Sequence, residues 1–169
     1  DLFKNCFAQE HDFLIYKDAK DLTNFRDTEE FQKISDTSVD FYWATVIYFK
    51  KSEQNKIFFD LTQHIQENWD HYNSIFQVNK GIFRNDHVFS IAIHIMNGYQ
   101  KGDFAHKLPG IKYYTADRDI LWDLEDDNFF FLLEKQNHLG EYTPLRIKGS
   151  SVHVMNKFSL NRIIDKGEV

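Results

Sequence analysis

Two basic side chains near the C-terminus have types and spacing that can do chemistry. The segment SSVHVMNKFSLNR (150–162) places His153 among alternating apolar residues and Lys157 four positions later. Alternation of this kind predicts a strand, with a helix after it. A neutral imidazole can ligate a divalent cation, and an ammonium just beyond a strand end can neutralise a phosphate. A half-buried ring bonded to backbone and a solvated lysine are the structural alternative.

A second candidate lies in the segment FRNDHVFS (83–90). Asn85 and Asp86 stand where a helix is predicted to begin, and either residue can satisfy free backbone N–H groups there. The functional alternative is that they face a cleft and bind the hydroxyls of a polyol. His87 and His94 lie seven residues apart on the same predicted helix. They could be ligands, or they could be a solvated or packed pair.

The segment DFYWAT (40–45) carries a third candidate set. Asp40, Tyr42 and Trp43 flank an apolar run, and aromatic faces stack well on sugar rings and bases. An ordinary core strand explains Trp43 equally well. The acidic segment DRDILWDLEDD (117–127) can attract cations, or it can be a solvated connector with one helical turn.

The hydrophobic pattern predicts the elements that must position these residues. DFLIY (12–16) reads as a buried strand, and VDFYWATVIYF (39–49) as a central strand covered on both faces. Two helices follow, the first over about 52–78 and the second ending at Gly98. The polar segment 17–36 reads as a loop with a short helix capped by Thr28. A strand is predicted after the turn LPG (108–110), and three more at 129–135, 144–149 and 151–156. A short helix is predicted at 158–164.

The order of these elements is not a regular alternation of strands and helices. It predicts a single domain over 1–169 with a mixed β-sheet flanked by helices, an α/β fold. In the first long helix, a face through Ile57, Leu61, Ile65 and Trp69 is predicted to meet the core.

The composition excludes several classes of function. The net charge is -6 with no basic excess, which argues against nucleic acid as a primary partner. The single cysteine, Cys6, excludes an internal disulfide and favours a reducing, cytoplasmic setting. No apolar run approaches the length of a membrane span. The sequence also has no Gly-rich phosphate loop and no GxSxG nucleophile motif.

Taken in order, several segments resemble the C-terminal part of a GT-A nucleotide-sugar glycosyltransferase of the glycogenin-like retaining family. They are DLFKNCF, VDFYWATVIYF, a long helix, FRNDHVFSIAIHI, KLPGIKYY and VHVMNKFSL. The arrangement is also similar to sugar-transferase-like proteins of phages and marine bacteria. The resemblance implies transfer of a sugar from a nucleotide-diphosphate donor to an acceptor that the sequence does not identify.

The resemblance also implies site residues. The family's "VH…K" pattern places a metal ligand at His153 and a pyrophosphate contact at Lys157, with Mn²⁺ or Mg²⁺ bridging the diphosphate. Its "GDQ"-type helix start implies catalytic contacts at Asp86 and Asn85. Its "FNSG"-type segment falls on DFYWAT, where the residues differ, and implies a donor-binding role for Trp43.

No metal-binding D-x-D precedes DLFKNCF in this sequence. Within the resemblance, the chain is therefore expected to be an incomplete GT-A domain that lacks the N-terminal nucleotide-binding half. It would then need another chain or a homo-oligomer to be active. The alternative function is a non-catalytic binding or assembly module on a degenerate glycosyltransferase scaffold. Scattered Asp, His and Lys also leave a metal-dependent nuclease open.

Overall fold

A computed structural model describes residues 2–17, 19–22, 26–27, 33–34, 39–78, 83–109, 113–135 and 138–167. The contacts divide the chain into two compact units. Unit 1 comprises Asp1–Asp18 and Glu29–Gly110, and unit 2 comprises Ala19–Thr28 and Ile111–Val169. The described residues form a mixed α/β structure with three small sheets, which confirms the predicted class. None of their helices has the length and apolar character needed to cross a membrane.

Unit 1 consists of a three-stranded sheet and four helices in its described part. Its elements are α1 (Leu2–Phe7), β1 (Phe13–Tyr16), β4 (Trp43–Phe49), α2 (Glu53–Glu67), α3 (Trp69–Ile75), α4 (Asn85–Met96) and β5 (His106–Lys107). The sheet order is β4-β1-β5, with β1 antiparallel to β4 and parallel to β5.

The buried central strand of this sheet is β1, not β4. All four residues of β1 are buried, as the run DFLIY predicts. The prediction that 39–49 forms a central strand covered on both faces is wrong, because β4 starts at Trp43 and lies at the sheet edge with half-buried and exposed side chains. Val39, Phe41 and Tyr42 are buried outside the strand. Their apolar character therefore reflects the core and not a second sheet neighbour.

The predicted single helix over 52–78 is two helices. Ser52 caps α2 by accepting a hydrogen bond from the Asn55 N–H at 3.2 Å, and Asn68 separates α2 from α3. The predicted core face is also only partly right. Phe58 and Ile65 are fully buried, whereas Ile57 is 57% exposed. The buried face is rotated by about one position from the predicted one, and it consists of Asn55, Phe58, Thr62 and Ile65.

The second predicted helix is confirmed as α4. Val88, Ile91 and Ala92 are buried on its inner face. Gly98 follows the C-cap Asn97 with φ 70°, the left-handed conformation that glycine adopts at low cost after a helix. The core of unit 1 forms between α4, α2 and the sheet and is rich in aromatic rings. Phe58 alone packs against rings of four neighbours, which are Phe13, Phe59, Phe89 and Phe104.

Unit 2 contains two sheets and one helix among its described residues. Its elements are β2 (Lys20–Asp21), β3 (Arg26–Asp27), β6 (Tyr113–Ala116), β7 (Leu121–Glu125), β8 (Asn128–Glu134), β9 (Tyr142–Lys148), β10 (Ser151–Val154) and α5 (Lys157–Asp165). One sheet has the order β10-β6-β2-β3, with β6 parallel to both β10 and β2, and the other is an antiparallel meander, β7-β8-β9.

Five of the later elements of unit 2 agree with their predictions and one does not. β6, which follows LPG, is confirmed, as are β8, β9, β10 and α5. The acidic segment 117–127 is not a helical connector, because β7 pairs there with β8 through a tight turn at Asp126. Leu121 of β7 is buried in the unit 2 core, so apolar contacts override the polar composition. The predicted Thr28-capped helix lies outside the described residues.

Candidate functional site

Polar side chains gather at one edge of the unit 1 sheet. Lys17 follows the carboxyl end of β1, and Lys107 ends the parallel strand β5. The antiparallel β4 begins at the same edge, since Trp43 pairs with Tyr16. The edge reached by the carboxyl ends of parallel strands is where α/β sheets commonly bind ligands. Here it borders a cavity of about 340 Å³ that the C-terminal half of α4 and the loop after it also line.

The described lining of this cavity is strongly cationic. Four lysines contribute to it, against the single carboxylate of Asp40. The chain as a whole carries a net charge of -6. The cavity is therefore a local concentration of positive charge on an acidic protein, which favours an anionic ligand. The four lysines are Lys17, Lys33, Lys101 and Lys107.

Asp40, Lys17 and Tyr42 form a connected group in the wall. Lys17 Nζ lies 2.7 Å from Asp40 Oδ2, and it sits 5.4 Å from the centre of the Tyr42 ring. Tyr42 is 6% exposed, and this burial raises the pKa of its phenol; Lys17 lowers that pKa and Asp40 raises it. The phenol therefore stays protonated at neutral pH and can donate a hydrogen bond. Asp40 adds carboxylate oxygens that can accept bonds from hydroxyls.

Helix α4 supplies the opposite wall. The fully buried Ser90 hydroxyl accepts the Tyr42 backbone N–H at 2.9 Å and donates to the Asp86 carbonyl oxygen at 2.6 Å, which fixes Tyr42 against the helix. One turn later, His94 lines the cavity. Burial lowers the pKa of His94, and Asp40 partly opposes that shift. A neutral imidazole can offer one donor and one acceptor to a ligand.

The loop after α4 has a defined shape. Asn97 Oδ1 accepts the backbone N–H of Phe104 at 3.0 Å, which closes the loop onto the end of the helix. A Cβ atom on Gly102 would clash with the same Asn97 side chain, so a larger residue there would displace the amide that closes the loop. Because Asn97, Gly102 and Lys101 all line the cavity, this bond also fixes part of its wall.

The predicted residues Asp86, Asn85 and Trp43 lie at the start of α4 and β4. Asp86 Oδ1 accepts the backbone N–H of Ala44 at 2.9 Å, and Oδ2 pairs with Arg84. The Arg84 guanidinium lies 5.7 Å from the Trp43 ring centre. Asp86 thus ties the edge strand to the helix and is not the N-cap, which is Arg84. Its predicted contact with a ligand hydroxyl stays a prediction, as does that of the exposed Asn85.

The histidine pair on α4 separates into two environments. His87 is 2% exposed and packs with the rings of Phe41 and Trp69, whereas His94 faces the cavity. Two histidines seven residues apart therefore do not act together. The packed interpretation fits His87 and also His94, whose ring contacts those of Phe76 and Tyr99, and a role of either histidine as a ligand stays a prediction.

His153 and Lys157 belong to unit 2, whereas Asp86, Asn85 and Trp43 belong to unit 1. His153 is half-buried on β10, in register with Thr115 of β6. Val152 and Val154 pack on the unit 2 core, so the predicted alternation is confirmed and His153 occupies the other face of the strand. Lys157 is exposed and is the first residue of α5.

The described residues contain no group of three or more His, Cys, Asp or Glu side chains that could hold a metal ion. They therefore do not fit the predicted Mn²⁺ or Mg²⁺ as a complete ligand set. His153 remains the predicted metal ligand from the sequence.

Comparison with protein-family models, with curated proteins and with solved structures finds no match to this chain.

Part of this cavity is predictable from the sequence, but its charge is not. Asp40, Tyr42 and His94 were candidates, whereas the four lysines were not. Lys17 carried a usable signal, because it comes directly after a buried strand. Lys101 and Lys107 have no such signal in the sequence. They reach the same cavity as Lys17 only through the loop after α4 and the pairing of β1 with β5.

Proposed function

We propose that the unit 1 cavity binds the diphosphate and sugar of a nucleotide-sugar donor, and that the chain acts in glycosyl transfer as a glycosyltransferase or a portion of one. The observation that carries the proposal is the lining, in which four lysines surround a single carboxylate. A diphosphate matches that charge. Asp40, Asn97 and Tyr42 suit a sugar, because they offer acceptors and donors for hydroxyls beside an aromatic ring.

Within this proposal the lysines neutralise charge on the departing diphosphate. Lys17 is the best placed of them, since its contact with Asp40 holds the ammonium at the cavity wall. The resemblance to GT-A glycosyltransferases supports the same ligand class from the sequence. No step is assigned to a metal ion, because the described residues do not supply a ligand set.

A second candidate function is a binding module without catalysis. It is favoured by the position of Asp86, whose two carboxylate oxygens are engaged by the Ala44 N–H and by Arg84. A carboxylate used in this way holds β4 against α4, and it would have to leave both partners before it could position a sugar hydroxyl.

Thermal unfolding with UDP and UDP-glucose, each with and without Mn²⁺, tests the proposal on the full chain. A ligand at about a hundred times its Kd adds roughly 2.7 kcal/mol of stability. We expect stabilisation that is lost in Lys17→Met and kept in Lys56→Met, an exposed lysine of α2 that does not line the cavity. No stabilisation by either nucleotide, or an equal loss in both variants, would overturn the proposal.

Release of UDP from UDP-glucose separates the two functions. Turnover supports the transferase, and stabilisation without turnover supports the binding module. A gain of stability or turnover with Mn²⁺ that is lost in His153→Ala would support the predicted metal ligand. Stabilisation by UDP that is the same in that variant, with and without Mn²⁺, would count against it.

A further inference from the structure

His94 differs from the other ionisable residues that line the unit 1 cavity. Those residues are four lysines, Asp40, Tyr42 and Tyr99 in the described lining. Lysine and tyrosine ordinarily stay protonated, and aspartate ordinarily stays ionised, over the range of about pH 5 to 8 in which a histidine titrates. By residue type, His94 is therefore the group of this lining whose charge changes near neutral pH.

Two uncharged rings enclose the His94 imidazole. Phe76, which follows α3, lies 6.0 Å away between ring centres, and Tyr99, in the loop after α4, lies 5.9 Å away. Both rings meet the imidazole nearly at right angles. The Tyr99 N–H also donates to the His94 carbonyl oxygen at 2.9 Å, so the loop is tied to the same residue.

The charged groups around His94 come from other parts of unit 1. They are Lys17 after β1, Lys33 and Asp40 before β4, Lys101 in the loop after α4, and Lys107 on β5. Burial lowers the pKa of His94, and the Asp40 carboxylate partly opposes this. The imidazole is therefore neutral at pH 7 when no anion is bound.

A bound anion reverses the electrostatic balance at His94. Protonation of the imidazole adds a fifth positive charge to a lining that has one carboxylate, which is unfavourable in the free protein. A dianion in the same cavity compensates that charge and so favours the imidazolium form. The effect is reciprocal, because a proton on His94 strengthens anion binding by the factor by which the anion strengthens proton binding.

We propose that anion binding in the unit 1 cavity is coupled to uptake of one proton from solvent by His94, so that the cavity holds its ligand more tightly in mildly acidic than in neutral solution. As the pH rises, the proton returns to solvent and the ligand is released more readily. This coupling rests on the proposed function in one respect, that the cavity binds an anion. It needs neither a nucleotide nor a sugar.

A second cavity, wholly within unit 2, provides an internal contrast. It also has a volume of about 340 Å³, and residues of β2, β6 and β9 line it together with the turn after β9. Lys20 and Lys148 are among them, and no histidine is among the described residues of this lining. An anion bound there should take up no proton near neutral pH.

NMR titration of the His94 ring measures the coupling in the unaltered chain. The probe is sulfate, which stays a dianion near neutral pH, and sodium chloride at matched ionic strength is the salt control. We expect saturating sulfate to raise the midpoint of the His94 titration by about 0.5–1 pH unit relative to chloride. The exposed His71 of α3 should titrate alike in the two salts. A His94 midpoint that sulfate leaves unchanged would overturn the proposal.

The affinity for sulfate gives a second measurement. The Kd is expected to be roughly fivefold lower at pH 5.5 than at pH 7.5. His94→Gln keeps a neutral polar side chain that does not titrate, so its Kd should be the same at both pH values. His71→Gln removes an exposed histidine that does not line the cavity and should keep the fivefold difference. The same pH dependence in both variants would contradict the coupling.

UDP-glucose separates this coupling from the proposed function. If sulfate raises the His94 midpoint but UDP-glucose does not stabilise the chain, the nucleotide-sugar proposal fails and the coupling stands. If UDP-glucose binds equally well at pH 5.5 and 7.5 and leaves the His94 midpoint unchanged, the coupling fails and the proposed function stands. Absence of saturable binding by either anion would overturn both.

Discussion

The cavity of unit 1 and the cavity of unit 2 each enclose about 340 Å³ and are both lined by lysines, yet they offer different chemistry. The first joins its cations to a carboxylate, a buried phenol and an imidazole. The second is lined by cationic, hydroxyl-bearing and aliphatic residues, with no carboxylate among its described residues. Charge suffices to attract an anion in either place, but only the first can also satisfy the hydroxyls of a sugar. Ligand class therefore depends on the neutral and acidic neighbours of the lysines.

The two units also differ in how they are held together. Unit 1 has an aromatic core in which the Phe58 ring meets four others. Unit 2 has an aliphatic core and binds its terminal helix with polar contacts. Asp119 accepts two bonds from Arg162 and one from the buried Ser159 hydroxyl, and Arg162 also donates to the Leu121 carbonyl oxygen at 2.7 Å. Most of the energy should thus come from packing in unit 1, with a larger polar share in unit 2.

The largest effect should come from the core of unit 1. Phe58→Ala is expected to cost about 3–5 kcal/mol, since a fully buried ring leaves a cavity and loses its ring contacts. The matched change in unit 2, Phe131→Ala, should cost less, because among the described residues its ring has one aromatic neighbour, Phe129 at 6.4 Å. Urea unfolding of both variants measures the difference. An equal loss of free energy of unfolding in the two variants would contradict the proposed difference between the two cores.

The polar contacts of unit 2 should have an intermediate effect. Asp119→Ala removes the acceptor of the buried Ser159 hydroxyl and the partner of Arg162. We expect a loss of about 1–2 kcal/mol, mostly from the unsatisfied hydroxyl, since the ion pair is partly exposed. Asp165→Ala, which removes an exposed carboxylate of α5 itself, is the control and should change the free energy of unfolding little. A loss as small as that of the control would show that α5 is held by packing alone.

Titration should distinguish the two units by pH window. Hydrogen bonds from Arg162 and then Ser159 lower the pKa of Asp119, so its contribution is present above the ordinary value of 3.8 and is lost as the pH falls below it. Burial lowers the pKa of His94. The contribution of the neutral His94 to stability is therefore complete above pH 6.5 and is lost as the pH falls through the folded-state pKa. Between pH 5 and 7.5 the free energy of unfolding, measured with urea, should therefore rise with pH, and His94→Gln should make that rise smaller. His138→Gln, an exposed histidine of unit 2, is the matched control, and an unchanged slope in His94→Gln contradicts the assignment.

The smallest effect should come from the surface pairs of unit 2. Lys135 and Glu141 lie 2.9 Å apart at the end of the β8–β9 hairpin, and both are about half exposed. Glu141→Gln should change the free energy of unfolding by less than about 0.5 kcal/mol, because water and salt screen such pairs. Urea unfolding at low and at high salt measures this. A loss above 1 kcal/mol would place this surface pair on a level with the Asp119 contacts.

Much of the fold followed from local pattern, and the errors share a cause. The buried run at β1, the apolar face and Gly98 of α4, and the alternation of β10 were all predicted because each signal sits within a few residues. The edge position of β4, the break at Asn68 and the strand β7 were missed. Each of those depends on which partner the segment meets in the folded chain, and composition does not carry that information.

Candidate residues show the same division. Asp40, Tyr42 and His94 could be singled out by type and spacing, whereas the gathering of four lysines around them could not. The engagement of Asp86 by the Ala44 backbone was equally invisible, because it joins residues 42 positions apart.

By itself, the sequence determined the α/β class, the buried runs and the polar groups available for chemistry, because side-chain periodicity and composition are local properties. The tertiary structure decided which of those groups meet. Strand pairing brought Lys17 beside Asp40, and the meander of unit 2 set Arg146 against a neutral amide. Both outcomes arise from contacts between distant segments, whose geometry is defined only when the core has formed.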